Sequence, residues 1–251
     1  MHVRPLVSSL IAVSLALVAT PARAQMRDQS NDSYSDGLIA ADYLRLSGGG
    51  IAPIRPTGSL RDWSGGSTFG LVWEGWQPGP SGVGRVGFGF GVDYSRLPLN
   101  QRQFISTFRP QTGGGAGRAT SATAASATLF SIGTNLRVRI PAPFVMPSVV
   151  FGFGYLDFRP GIIQYTLPGG GPSTASEQHR RGAELRAGIG LDKQVVDRFG
   201  FFGEALYEYG LTSLGHGLAT PGGTCINNEC DALQNTVFGV VRGGLRVRIG
   251  R

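Results

Sequence analysis

VGFGFGVDYS, residues 86–95, alternates strictly: Val86, Phe88, Phe90, Val92 and Tyr94 share one face, and Gly87, Gly89, Gly91, Asp93 and Ser95 the other. A period of two is the signature of an extended strand, because successive side chains point to opposite faces. The two faces are unusual in kind. One carries only large apolar groups, while the other carries glycine, a hydroxyl and a carboxylate. A soluble sheet turns its apolar face toward a core and its polar face toward water. Glycine and charge crowded opposite a continuous apolar face instead suit an apolar exterior around a narrow polar interior.

The same pattern recurs outward from this stretch. Val149, Phe151, Phe153 and Tyr155 oppose Gly152 and Gly154, and Val237, Val241, Leu245, Val247 and Ile249 oppose Thr236, Arg242, Arg246 and Arg248. Eight strands follow: Leu38 to Gly48, Ser67 to Trp76, Val83 to Arg96, Ala124 to Arg139, Pro147 to Asp157, Arg181 to Lys193, Gly200 to Leu211, and Thr236 to Ile249. Most exceed the usual globular length and suit the 9–11 residues that cross a bilayer at a tilt. Four strands carry several mid-strand charges, and within each strand those charges keep one parity, roughly a one-in-64 accident for random placement. The first strand is ambiguous, since Asp42 and Arg45 have opposite parity.

Connections alternate in length. Gln77 to Gly82, Ile140 to Met146 and Gln194 to Phe199 are short; Gly49 to Gly66, Leu97 to Thr123, Phe158 to Arg180 and Thr212 to Asn235 are long. Tyr94, Tyr155, Tyr207 and Tyr209 all fall near the long-loop ends of their strands, where an aromatic girdle belongs. In these respects Leu38 to Ile249 resembles the OmpA-like eight-stranded outer-membrane barrel superfamily. The expected fold is all-β: an eight-stranded antiparallel up-and-down transmembrane barrel with short periplasmic turns and long extracellular loops. One departure is the ending Val247-Arg248-Ile249-Gly250-Arg251, where such barrels usually finish on an aromatic residue.

Export is written at the start of the chain. A basic Met1 to Arg4, an apolar Leu6 to Ala19 and Ala22-Arg23-Ala24 form a secretory signal over residues 1–24, with cleavage before Gln25. A polar segment occupies 25–37, and the barrel domain 38–251. No later run approaches the length of a membrane-spanning helix. The chain has 251 residues and 40 glycines, yet no Gly-X-Y period, which excludes collagen. Its net charge of +7 comes from dispersed arginines, Lys193 being the single lysine, so nucleic acid is not an expected partner. The expected location is the outer membrane, with lipid and lipopolysaccharide as neighbours and oligomeric state open.

So phased, the interior holds Glu74, Asp93, Glu184, Asp192, Glu204 and Glu208 against Arg137, Arg139, Arg186, Arg242, Arg246 and Arg248. Eight strands leave room only for side chains, so these charges read as a salt-bridged interior, with a gated ion path as the alternative. Cys225 and Cys230 read as a disulfide pinching the fourth loop. Arg102, Arg109 and Arg118 make the second loop basic, a candidate contact for lipopolysaccharide phosphates. Ser213, His216 and Asp231 share the fourth loop, but a glycine-rich loop does not preorganise a triad. No catalytic residue, metal site or cofactor is therefore expected. The role expected is structural or interactive and non-enzymatic, against a lipid-modifying enzyme, a narrow channel or a lipocalin-like ligand-binding barrel.

Overall fold

The structure is a computed structural model that describes residues 41–54, 60, 62–78, 85–108, 119–175, 179–214 and 234–250. The signal segment, residues 25–37, Arg109, Arg118, His216, Cys225, Cys230 and Asp231 lie outside the described residues. Eight long strands close on themselves: β1 (Ala41–Pro53), β2 (Gly66–Pro78), β3 (Arg85–Leu97), β5 (Ala127–Arg139), β6 (Met146–Arg159), β9 (Arg180–Val196), β10 (Phe199–Leu214) and β11 (Gln234–Arg248). Every pairing between neighbours is antiparallel, and β11 pairs with β1 to shut the barrel. Closure removes the free edges of these eight strands, so each barrel strand finds a partner on both sides. Among the described residues, no helix is long and apolar enough to cross a membrane.

The register fixes the shape. Followed once around from Tyr43 through Glu74, Gly89, Asn135, Gly152, Arg186, Glu208 and Phe238, it returns to β1 at Pro53, ten residues further on. A stagger of that size over eight strands tilts each by about 40° from the axis, given strand spacing and rise. Leu71, Phe88, Phe90, Leu136, Phe151, Phe153, Leu185, Ile189, Leu191, Val241 and Leu245 are exposed on the outside. The molecule is apolar outside and charged within.

β1 ends later than its sequence suggests, at Pro53 and not Gly48. The Gly48-Gly49-Gly50 run reads as a strand end, but these residues pair on both sides, Gly49 with Arg242 and with Thr68. A Cβ at Gly49 would lie 2.5 Å from the Arg242 Cα, so glycine marks a close approach within the strand.

The long-loop end has structure of its own. Between β3 and β5 lie a helix α1 (Gln101–Thr107) and a short strand β4 (Ser121–Ala124); β7 (Ile163–Thr166) and β8 (Pro172–Ala175) lie between β6 and β9. The order β4-β7-β8 forms a separate three-stranded sheet. Asn100 caps α1, its side chain accepting from the Gln103 amide at 3.2 Å. Phe104 stacks on Phe108 at 4.6 Å, and Phe108 meets Tyr165 edge-on at 4.7 Å, tying helix to sheet. Leu60, Trp63, Phe104, Ala122 and Ile163 then pack with the inward barrel residues Ile51, Leu97, Leu129, Leu156, Phe158 and Phe238 in one buried cluster. The mouth is closed by an apolar cap.

Candidate functional site

Beneath that cap the interior is ionic. Six carboxylates (Glu74, Asp93, Glu184, Asp192, Glu204, Glu208) and six guanidiniums (Arg45, Arg137, Arg139, Arg186, Arg242, Arg246) are all buried. They form one connected chain of pairs. Arg45 reaches Asp192 at 3.0 Å and both Glu74 and Glu204 at 3.4 Å. Arg137 Nε lies 3.1 Å from Glu74, and its other end binds Glu204. Arg242 joins Glu204 to Asp93, and Arg186 continues from Asp93 (2.6 Å) to Glu184 (3.0 Å) and Glu208 (3.7 Å). Ser131 donates to Glu184 and accepts from Arg186, while Ser148 accepts from Arg137 at 3.1 Å. Ser148 belongs to β6, so the network touches all eight barrel strands.

Toward the short-turn end the ionic contacts lengthen and aromatic rings take over. Arg139 Nε lies 3.6 Å from Asp192 and Arg246 Nη1 3.9 Å, too far for hydrogen bonds. Both guanidiniums sit over ring faces, Arg139 3.8 Å above Trp76 and Arg246 4.4 Å above Tyr43, while Arg246 also donates to Gln194; Arg45, bonded to Asp192, lies 3.6 Å above Phe202 as well. A ring face carries negative charge, so stacking partly offsets the missing hydrogen bonds. Trp76 also donates through Nε1 to Glu74 at 3.2 Å, tying this aromatic floor to the network.

Eleven of the twelve charges assigned to the interior from sequence are buried there; Arg248, at the turn end of β11, is half-buried. Arg45 takes the sixth cationic place. Its parity was obscured by Asp42, which lies on the opposite face of β1, yet Tyr43 two residues before it and Ser47 two after share its face. Arg102 is exposed on α1. Among the described residues, no group of three or more His, Cys, Asp or Glu is placed to hold a metal ion.

A second cluster sits outside, at the long-loop rim. Asp157 accepts from Arg159 Nε and Nη2 at 3.1 and 2.8 Å and pairs with His179 Nε2. Burial opposes the ionised form of Asp157, but the hydrogen bonds from Arg159 and His179 outweigh it and hold its carboxyl below the usual carboxylate range. Nearby, Arg96 Nε donates to the Tyr94 hydroxyl at 3.2 Å. Strand-end charges such as Arg96 break the parity pattern from which the interior is read; the barrel's register is what gathers them at the rim.

No protein-family model matches the chain, and no curated protein sequence matches it. Its structure is similar to that of Neisserial surface protein A at 15% identity, covering 83% of this chain and 97% of that one with a TM-score of 0.41. A major outer membrane protein from Thermus thermophilus is similar at 13% identity, covering 83% and 99% with a TM-score of 0.46. The outer membrane protein OprG from Pseudomonas aeruginosa is similar at 11% identity, covering 86% and 99% with a TM-score of 0.42.

Proposed function

We propose that this chain is an integral outer-membrane protein, exported by residues 1–24, whose barrel is a closed scaffold presenting its long-loop end outside the cell. Its role is interaction and not catalysis. The carrying observation is the inside-out distribution of side chains: exposed Phe88, Phe90, Phe151 and Phe153 face outward while Glu74, Asp192, Glu204 and Arg45 are buried. An apolar girth needs lipid around it, and paired charge inside needs none.

A ligand-binding barrel of the lipocalin kind would keep an apolar cavity. Here the lumen is occupied by salt bridges and closed above by Trp63, Phe104 and Phe238. The same filling disfavours an open ion path, because conduction would require breaking several buried pairs together. The partners in this reading are outer-membrane lipid and lipopolysaccharide, with Arg102, Arg109 and Arg118 of the second loop contacting phosphate and the Cys225–Cys230 disulfide shaping the fourth.

Membrane fractionation followed by gel migration with and without boiling tests the location. Outer-membrane recovery with a mobility shift on boiling is expected; recovery in the soluble fraction would overturn it. Planar-bilayer recording tests the scaffold, for which a flat baseline is expected. Discrete conductance steps altered in Arg242→Ala would make it a channel instead.

A further inference from the structure

The outer face just above the aromatic girdle carries a cationic patch that the interior network does not use. Arg96 on β3 is level with Thr128 on β5, and Thr128 with Arg159 on β6. On the next strand, Arg181 of β9 is level with Asp157. Arg96, Arg159 and Arg181 are all exposed. All three point outward, because each shares the parity of an exposed lipid-side residue: Tyr94, Tyr155 and Leu185. Strands lie about 4.8 Å apart, so the backbones of Arg96 and Arg159 are about 10 Å apart, and their long side chains can converge on one group.

The patch has a built character. Arg96 is held against Tyr94 by the hydrogen bond to its hydroxyl, with the guanidinium 5.7 Å from the ring centre. Arg159 is held by Asp157, whose carboxylate is 11% exposed against 68% for Arg159, so the acid lies beneath and the cation on top. A guanidinium has five N–H donors; Arg159 spends two on Asp157, and the bond from Arg96 to Tyr94 uses one. On the other half of the girth, the outward positions Gly50, Ala52, Ser67, Tyr209 and Leu211 carry no charge. Below the arginines the surface is apolar at once, with Phe130 and Phe153 exposed.

We infer that Arg96, Arg159 and Arg181 form a binding site for the phosphorylated head group of an outer-leaflet glycolipid, whose acyl chains lie along the apolar strand face beneath. The inference rests on the outer-membrane reading above. Charge alone would suit any phosphate. The apolar face starting one girdle step below selects an amphiphile, because only a lipid satisfies both halves of the surface. Planar guanidinium forks match phosphate oxygens bidentately, and the edge of a low-dielectric layer strengthens that contact.

Native mass spectrometry of the full chain, released from detergent micelles with added lipid, tests this. The probes are bisphosphorylated lipid A, dephosphorylated lipid A, phosphatidylcholine and inorganic phosphate. Wild type is expected to retain bisphosphorylated lipid A at roughly tenfold lower lipid concentration than the dephosphorylated form, with inorganic phosphate a poor competitor. Arg96→Gln/Arg181→Gln is expected to lose that preference, and Arg198→Gln, exposed at the short turn between β9 and β10, to keep it. Equal retention of both lipid A forms by wild type would overturn the site without needing any variant to fold. Unchanged preference in a heat-modifiable Arg96→Gln/Arg181→Gln barrel would overturn the assignment to these residues, and efficient displacement by inorganic phosphate would overturn the lipid as its source. Recovery of the protein in the soluble fraction would instead overturn the membrane reading itself.

Discussion

Glu204→Gln probes the interior most directly. Glu204 binds three arginines from three different strands: Arg45 at 3.4 Å, and Arg137 and Arg242 more closely. Glutamine keeps the size and removes the charge, and its amide can meet the guanidiniums through only one acceptor oxygen. Removing one partner of a buried ion pair costs about 3–5 kcal/mol, because the remaining charge is left uncompensated. With a urea m-value of about 2–3 kcal/mol per M, the unfolding midpoint should fall by about 1–2 M. The assay is the folded fraction on unboiled gels of protein refolded in lipid vesicles and titrated with urea. Adding Arg242→Gln restores charge balance, since Asp93 keeps Arg186 at 2.6 Å. The double variant should therefore lose less than the sum of the singles, by at least about 1 kcal/mol of coupling. A single-variant shift below about 0.3 M, inside the extrapolation error, or a strictly additive double would refute the connected network.

Two further outcomes follow from local geometry. A methyl at Gly70 would overlap the Asp93 carboxylate and lie 2.7 Å from Ser47 Oγ, whereas one at Gly203 would meet nothing within 4 Å. Gly70→Ala should therefore lower stability by roughly 1–3 kcal/mol through overpacking, with Gly203→Ala close to wild type, and equal shifts in the urea assay would refute this. At the rim, the folded carboxyl of Asp157 lies below its ordinary value of about 3.9, so the tie is complete above about pH 4 and is lost as pH falls through the lower folded value. Amide exchange at the loop ends of β6 and β9 should show extra opening on acidification, and Asp157→Asn should abolish that step; an unchanged profile in the variant would sink the idea.

What the sequence made legible was whatever a period of two can carry. Glu204 and Glu208, or Arg242 and Arg246, announce their common face because each pair shares a strand and a parity. Arg45 stayed hidden because Asp42 breaks that parity at the turn end of β1. The cap was unreadable for a different reason. β4, β7 and β8 have four residues each, too few for any period, and α1 has seven, under two turns. Pairings such as Asp157 with His179, or the placing of Arg96 and Arg159 level with each other on either side of Thr128, exist only once the register is set. No local pattern encodes them.

The interior charges also explain why the register is unique. Buried ion pairs add little net stability, since desolvation offsets most of their attraction. Their contribution here is to forbid alternatives. A slip of one residue would turn every side chain of a strand to the opposite face. For β11 that would send Arg242 and Arg246 into lipid, at about 2–4 kcal/mol each near the midplane. It would also place Val241 and Leu245 among carboxylates, stranding Glu204 and Asp93 without their partners. With apolar side chains on both faces the same slip would cost little, and the strands could pair in several ways. In the proposed scaffold the lumen serves the register, and recognition falls to the loops and to the outer rim that carries Arg96, Arg159 and Arg181.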